Sequence, residues 1–143
     1  MPTARVHFER ALSYLEQALD PQHPRLMTAL SNLASIHGQL DDIDTAASLL
    51  ERALAIPASG RDVDPGQHAR VLQNFGNVCA YRGDLDGAQR AWEQSLAIWI
   101  ELAGEQSLAA GSLYRSLAEI WEYRGDEAKA AELRARAATS SSR

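Results

Sequence analysis

Apolar and small residues recur along this chain at spacings of three, four and seven, the rhythm of one face of an α-helix. Leu33 and Ile36 keep that spacing, and so do Ala46, Leu50 and Ala53. Read from end to end, the pattern predicts seven helices, over about 3–19, 24–38, 43–56, 66–82, 85–103, 106–124 and 127–139. Breaks are expected at Asp20-Pro21-Gln22-His23-Pro24, from Pro57-Ala58-Ser59-Gly60 through Asp64-Pro65-Gly66, and near Gly104. The fold class is therefore all-α.

The pattern also repeats at a step of 42 residues, and such self-similarity marks stacked units. Ala4, Ala46, Ala88 and Ala130 superpose, as do Ala11, Ala53, Ser95 and Ala137. Leu33, Phe75 and Leu117 align, followed at once by Ala34, Gly76 and Ala118. Tyr81-Arg82-Gly83-Asp84 and Tyr123-Arg124-Gly125-Asp126 are identical at the same step. The small residues let two helices approach, and large ones such as Leu50 and Trp92 fill the space between hairpins. Gly83 and Gly125 stand where a helix ends and the chain turns. Asp84 and Asp126 follow, placed to cap the next helix. Asp41 and Asp42 hold these slots in the first full repeat, whose turn lacks the glycine.

These residues resemble the tetratricopeptide repeat. Leu72, Phe75-Gly76, Cys79, Gly83, Ala88, Trp92 and Ser95-Leu96 follow its pattern, with Cys79 where an aromatic is usual. Tyr114, Leu117-Ala118, Trp121, Gly125, Ala130 and Ala137 follow it more closely. The 42-residue period is similar to the kinesin-light-chain branch, on the evidence of His23-Pro24, the run 29–34 and Leu50-Glu51-Arg52-Ala53-Leu54-Ala55-Ile56. The resemblance implies a right-handed α-solenoid in one domain spanning 1–143. A lone second-type helix would occupy 3–19, repeats would occupy 24–65, 66–107 and 108–139, and a frayed tail would occupy 140–143. It also implies a scaffold that binds a protein or peptide rather than an enzyme.

In that family the first helix of each hairpin lines a concave groove. The corresponding stripe here is polar: Asn32, Arg70, Asn74, Asn77, Tyr81, Arg115, Glu119 and Tyr123, with Ser31, Ser35 and Gln73 beside them. Amide side chains both donate and accept, which suits a peptide backbone. Arg70 and Arg115 suit a carboxylate. Tyr81 and Tyr123 offer aromatic area with a polar tip. The family's chaperone-tail clamp places Lys where this chain has Ser31, Gln73 and Arg115. Only Asn77 fits that pattern, which argues against a clamp.

The repeat begins on a second-type helix, so one face of the first helix lacks a mate. Val6, Tyr14 and Leu15 are the apolar candidates for that open face, and exposed apolar stripes mark interfaces. Either the chain is a segment of a longer repeat protein or this face pairs with another copy as a homodimer. Self-assembly, or service as a regulatory arm of a larger signalling protein, is thus the alternative to peptide binding.

Charge and composition narrow the field further. The formal net charge of −5 argues against a nucleic-acid binder, which needs a basic surface. Lys129 is the only Lys among 14 cationic residues, a skew expected of a GC-rich, bacterial genome. Cys79 is the single cysteine, consistent with a reducing compartment. No run approaches the ~18 apolar residues of a membrane span, so no membrane partner is expected. The default is a soluble, cytoplasmic protein.

No catalytic group or cofactor is expected either. His7, His23, His37 and His68 are scattered, and none has metal-ligand spacing. His37 and Cys79 share the family's aromatic slot and read as packed side chains. No nucleophile elbow, phosphate loop or dinucleotide fingerprint occurs. Gly60-Arg61-Asp62 and Arg82-Gly83-Asp84 read as loop and turn. Asp41, Asp42 and Asp44 read as capping and solvated acids.

Overall fold

The computed structural model describes residues 3–57 and 63–140. The predicted loop residues 58–62 and the tail residues 141–143 lie outside the described residues. Within them the chain forms seven α-helices and no strand: α1 (Ala4–Ala18), α2 (Pro24–Gln39), α3 (Ile43–Leu54), α4 (Pro65–Tyr81), α5 (Leu85–Ala103), α6 (Leu108–Tyr123) and α7 (Glu127–Ser140). Each helix packs on the next, and α2 also packs on α4. The pairs α2/α3, α4/α5 and α6/α7 are hairpins stacked into an α-solenoid, with α1 laid on its leading end.

The helix starts follow from local chemistry. The side chains of Asp42, Asp84, Ser107 and Asp126 accept backbone N–H bonds from Thr45, Gly87, Ala110 and Lys129. Each satisfies a donor that the first helical turn leaves open. Hydrogen bonding to Thr45 holds the Asp42 carboxyl below its ordinary pKa. Pro24 and Pro65 open α2 and α4, where a missing N–H costs nothing. Gly83 and Gly125 end their hairpin turns at φ 83° and 86°, and Asp41 takes the same left-handed place at φ 63°.

Two predicted ends shift by more than one residue, each for a visible reason. The first-turn cap at Ser107 moves the start of α6 from 106 to Leu108. α3 closes at Leu54 rather than 56, because Pro57 disfavours helical geometry in the residue before it. Residue 140, expected in the frayed tail, belongs to α7. Ser140 is helical and fully buried, and its hydroxyl donates to the carbonyls of Glu105 and Arg136. A Cβ at Gly111 would stand 2.7 Å from the Cβ of Ser140, so glycine there is what lets α7 seat its last turn.

Two apolar clusters form the core, one under α1–α3 and one under α5–α7, and Phe75 of α4 packs against both. The superposed small residues lie at the tightest places: Ala53, Ala88 and Ser95 are all 0% exposed. Ser95 is polar at an alanine slot, and donating to the Ala69 carbonyl at 2.7 Å satisfies its hydroxyl. Neighbouring hairpins share a repeated ion pair, Arg82 with Asp44 and Arg124 with Asp86, at the same 42-residue step.

Gly76 and Gly38 should respond oppositely to the same change. A Cβ at Gly76 would collide with the Trp92 indole, whereas a Cβ at Gly38 meets nothing within 4 Å. Alanine gains about 1 kcal/mol of helix propensity over glycine, while overpacking a tight site costs about 1–3 kcal/mol. Gly38→Ala should therefore raise the denaturation midpoint and Gly76→Ala should lower it. Adding Trp92→Leu, which recreates the Ala34–Leu50 combination of the first hairpin, should recover part of the loss. Urea titration of the three variants checks all of this.

Candidate partner-binding groove

The stripe read from sequence is drawn together along one side of α2, α4 and α6, but its members are not equivalent. Between α2 and α4 lies a groove of about 290 Å³, with Ser35, Gln39, Asn74 and Asn77 on its walls and Leu50 and Val78 among its lining. Gln73 of α4 donates to Ser112 of α6 at 3.5 Å, which continues the polar row into the next hairpin.

Several candidates are already engaged. Trp92 Nε1 donates to both the Gln73 carbonyl and Asn77 Oδ1, each at 3.2 Å. The Asn77 carbonyl oxygen therefore serves the hairpin, and only its amide N–H₂ faces outward work. Arg70 lies 3.8 Å from Asp64, within reach of Gln67, and stacks 5.9 Å from the centroid of Trp99. These contacts hold it against the first turn of α4. Tyr81 is 68% exposed and donates its hydroxyl to Asp41 at 2.8 Å, a bond that pushes the phenol pKa up. Ser31, in the stripe by register, is buried.

Others remain uncommitted. The side chains of Asn32, Arg115 and Glu119 are exposed and Asn74 is half-buried, and none makes a hydrogen bond or ion pair among the described residues. Tyr123, at 82% exposure, extends the row at the end of α6. Sequence reasoning could not separate the two sets, because Trp92 and Asn77 are fifteen positions apart and on different helices.

The α1 candidates divide too. Tyr14 is exposed, but Leu15 packs against the α1–α3 core cluster and Val6 is half-buried. Leu15 also lines a shallow groove between α1 and α2 together with Phe8 and Ala11.

The residues considered for chemistry are structural. His37 is buried, its Nδ1 3.0 Å from Asp42 and its Nε2 3.8 Å from Glu9 of α1. Cys79 is buried, and desolvation pushes its thiol pKa up, away from a reactive thiolate. Burial likewise lowers the His68 pKa. Among the described residues no group of three His, Cys, Asp or Glu could hold a metal ion, and no helix is long and apolar enough to cross a membrane.

Two family models, each described as tetratricopeptide repeat, match residues 1–59 and 68–108, together more than half of the sequence. The chain belongs to the tetratricopeptide repeat family. Such repeats are protein-binding scaffolds, and this chain carries the architecture of one. No curated protein matches the sequence. Solved structures that resemble this repeat array include BtubC (BKLC) from P. vanneervenii, at TM-score 0.81 and 24% identity over 93% of this chain and 52% of that one. A kinesin-light-chain-like protein of Podosopora anserina, built of nearly identical TPR-like repeats, matches at TM-score 0.73 and 20% identity over 96% of this chain and 65% of that one. MamA matches at 0.68 and 20% over 94% and 68%. At these identities the likeness concerns the fold. The repeat array spans about half the length of BtubC and under two thirds of the kinesin-light-chain-like protein.

The division within the stripe has a measurable consequence. Asn77→Ala removes one of two acceptors from a buried indole and should cost about 0.5–1.5 kcal/mol. Asn74→Ala and Arg115→Ala remove nothing the fold uses and should stay within about 0.5 kcal/mol of the parent. Thermal melts followed by circular dichroism decide it; equal losses at all three positions would dissolve the distinction.

Proposed function

We propose that the chain is a non-catalytic scaffold that holds an extended or helical segment of a partner protein along the groove of α2, α4 and α6. The observation that carries this reading is the set of uncommitted side chains on one stripe: Asn32, Asn74, Arg115 and Glu119. Other charged groups are paired, as in Arg52–Glu16 and Arg134–Glu122. Asn32 and Asn74 offer donor and acceptor to a peptide backbone one repeat apart. Arg115 supplies an unpaired guanidinium for a carboxylate, and Glu119, one turn on, favours a cationic neighbour in the same ligand. The segment that fits is therefore mixed in charge, with its acid toward Arg115.

A second reading is an assembly or regulatory arm that works through α1. The observation in its favour is the exposed apolar and small face of that helix around Tyr14.

Selection from a displayed random-peptide library separates the two. Peptides selected on the parent chain should lose at least tenfold in affinity for the Asn74→Ala/Arg115→Ala double variant and none for Tyr14→Ser. Peptides that bind parent and double variant equally well would remove the groove reading.

A further inference from the structure

The groove of α2, α4 and α6 crosses two intervals built to one plan, and the chain fills them differently. Between α2 and α4 the bed is Ala34, Gly38, Leu50 and Val78, an apolar hollow of about 290 Å³ rimmed by Asn74 and Asn77. Both helices pack on neighbours to either side, so this hollow is interior to the array. One 42-residue step on, between α4 and α6, the counterparts of the bed are Gly76, Ala80, Trp92 and Ile120. There the Trp92 indole lies over Gly76 and donates to the Gln73 carbonyl and to Asn77. Trp92 is 5% exposed and Ile120 is 3% exposed, whereas Val78 is half-buried. Leu50 against Trp92 therefore separates an open interval from a filled one. Glycine at 38 widens the opening, since a Cβ there would meet nothing within 4 Å.

The lining decides what can enter. Ala34, Leu50 and Val78 present hydrocarbon. The hydroxyl on the wall, Ser35, already donates at 3.2 Å to the Ser31 carbonyl, the counterpart of the one that receives the Trp92 N–H. A side chain with a polar tip would give up its water here without a matched partner, whereas an aliphatic one gains by leaving water. The volume falls at the foot of the ~300–1,000 Å³ range of pockets that take whole small molecules, and suits a single side chain. The rim supplies what the adjoining backbone needs. Asn74 makes no hydrogen bond or ion pair among the described residues, and Asn77 keeps its amide N–H₂ as a donor while its oxygen serves Trp92.

We propose that the hollow between α2 and α4 is the specificity pocket of the partner-binding groove, a step that rests on the groove reading above. It takes one aliphatic side chain (Leu, Ile or Met) from the bound segment. Trp92 denies a second such site between α4 and α6, so the same repeat plan both accepts and excludes. The segment carries one aliphatic anchor, a small or polar residue at the next interval, and its acid toward Arg115. Leu50, Gly38 and Trp92 are the specificity-determining residues.

The probe is a displayed library of random peptides selected on the full 143-residue chain, with recovered peptides fluorescein-labelled and titrated by anisotropy. Peptides that lose affinity on the Asn74→Ala/Arg115→Ala double variant should share a single aliphatic position. Changing that residue to Ala or Asp should weaken binding at least tenfold. Gly38→Leu places a side chain in the hollow and should weaken binding at least tenfold while melting no lower than the parent, since leucine is the better helix former. Ala34→Gly/Leu50→Trp copies the Gly76–Trp92 pair into the first hairpin and should act likewise. If that variant fails to fold, Gly38→Leu still decides. The converse change, Gly76→Ala/Trp92→Leu, should select peptides with a second aliphatic position. Peptides that need Asn74 and Arg115 but share no aliphatic residue, or that bind Gly38→Leu as tightly as the parent, would overturn the pocket and leave the groove. Peptides indifferent to the Asn74/Arg115 double variant, or no binders at all, would remove the groove and the pocket with it.

Discussion

Ala34, Gly76 and Ala118 on the first helices of the hairpins, and Ala46, Ala88 and Ala130 on the second, all lie buried where the helices pack together. Close approach at these points sets everything else in the array. Interiors are packed at nearly crystalline density, so the separation of one helix pair fixes how large the flanking side chains can be. Those side chains in turn set where the next hairpin stacks. The caps at Asp42, Asp84 and Asp126 and the left-handed turn residues before them start each second helix in the same register. The repeat is thus a spacing rule enforced at one contact and copied.

Within that rule the filler varies, and the variation has chemical consequences. The position held by Leu50 in the first hairpin holds Trp92 in the second and Arg134 in the third. Trp92 requires glycine rather than alanine at 76 and brings an indole N–H that must be satisfied once buried. The Gln73 carbonyl and Asn77 meet that need, so enlarging one core side chain draws an outward-facing amide into the structure. Arg134 reaches out of the same position to pair with Glu122, so the last hairpin ends in charge instead of apolar bulk. Binding capacity is therefore uneven along the groove even though the backbone is periodic.

What the sequence made legible follows from the same physics. Helix number and order were readable because periodic burial leaves a periodic pattern, and the superposed small residues lie where that pattern puts them. Ser140 was not readable as a helical residue, because a serine in a polar tail looks solvated until Glu105 is seen to accept its proton and Gly111 to make room. The roles of Asn77 and Arg70 were hidden for a related reason. Their partners, Trp92 and Trp99, come from the neighbouring helix, and a stripe drawn along one helix does not see them.

The two ends of the array show how such a solenoid distributes its stability. Each unit contacts only its neighbours, so a terminal helix is held from one side. α7 answers this with a polar outer face and a buried final turn at Ser140. α1 has one fully buried residue, Leu12, where α2 has seven. It is held otherwise by the part-buried Phe8 and Leu15, by Glu16 against Arg52 and by Glu9 near His37. Exposed ion pairs of this kind contribute about 0–1 kcal/mol each. α1 is therefore the least secured element of the array, and low local stability is common in elements that rearrange on binding.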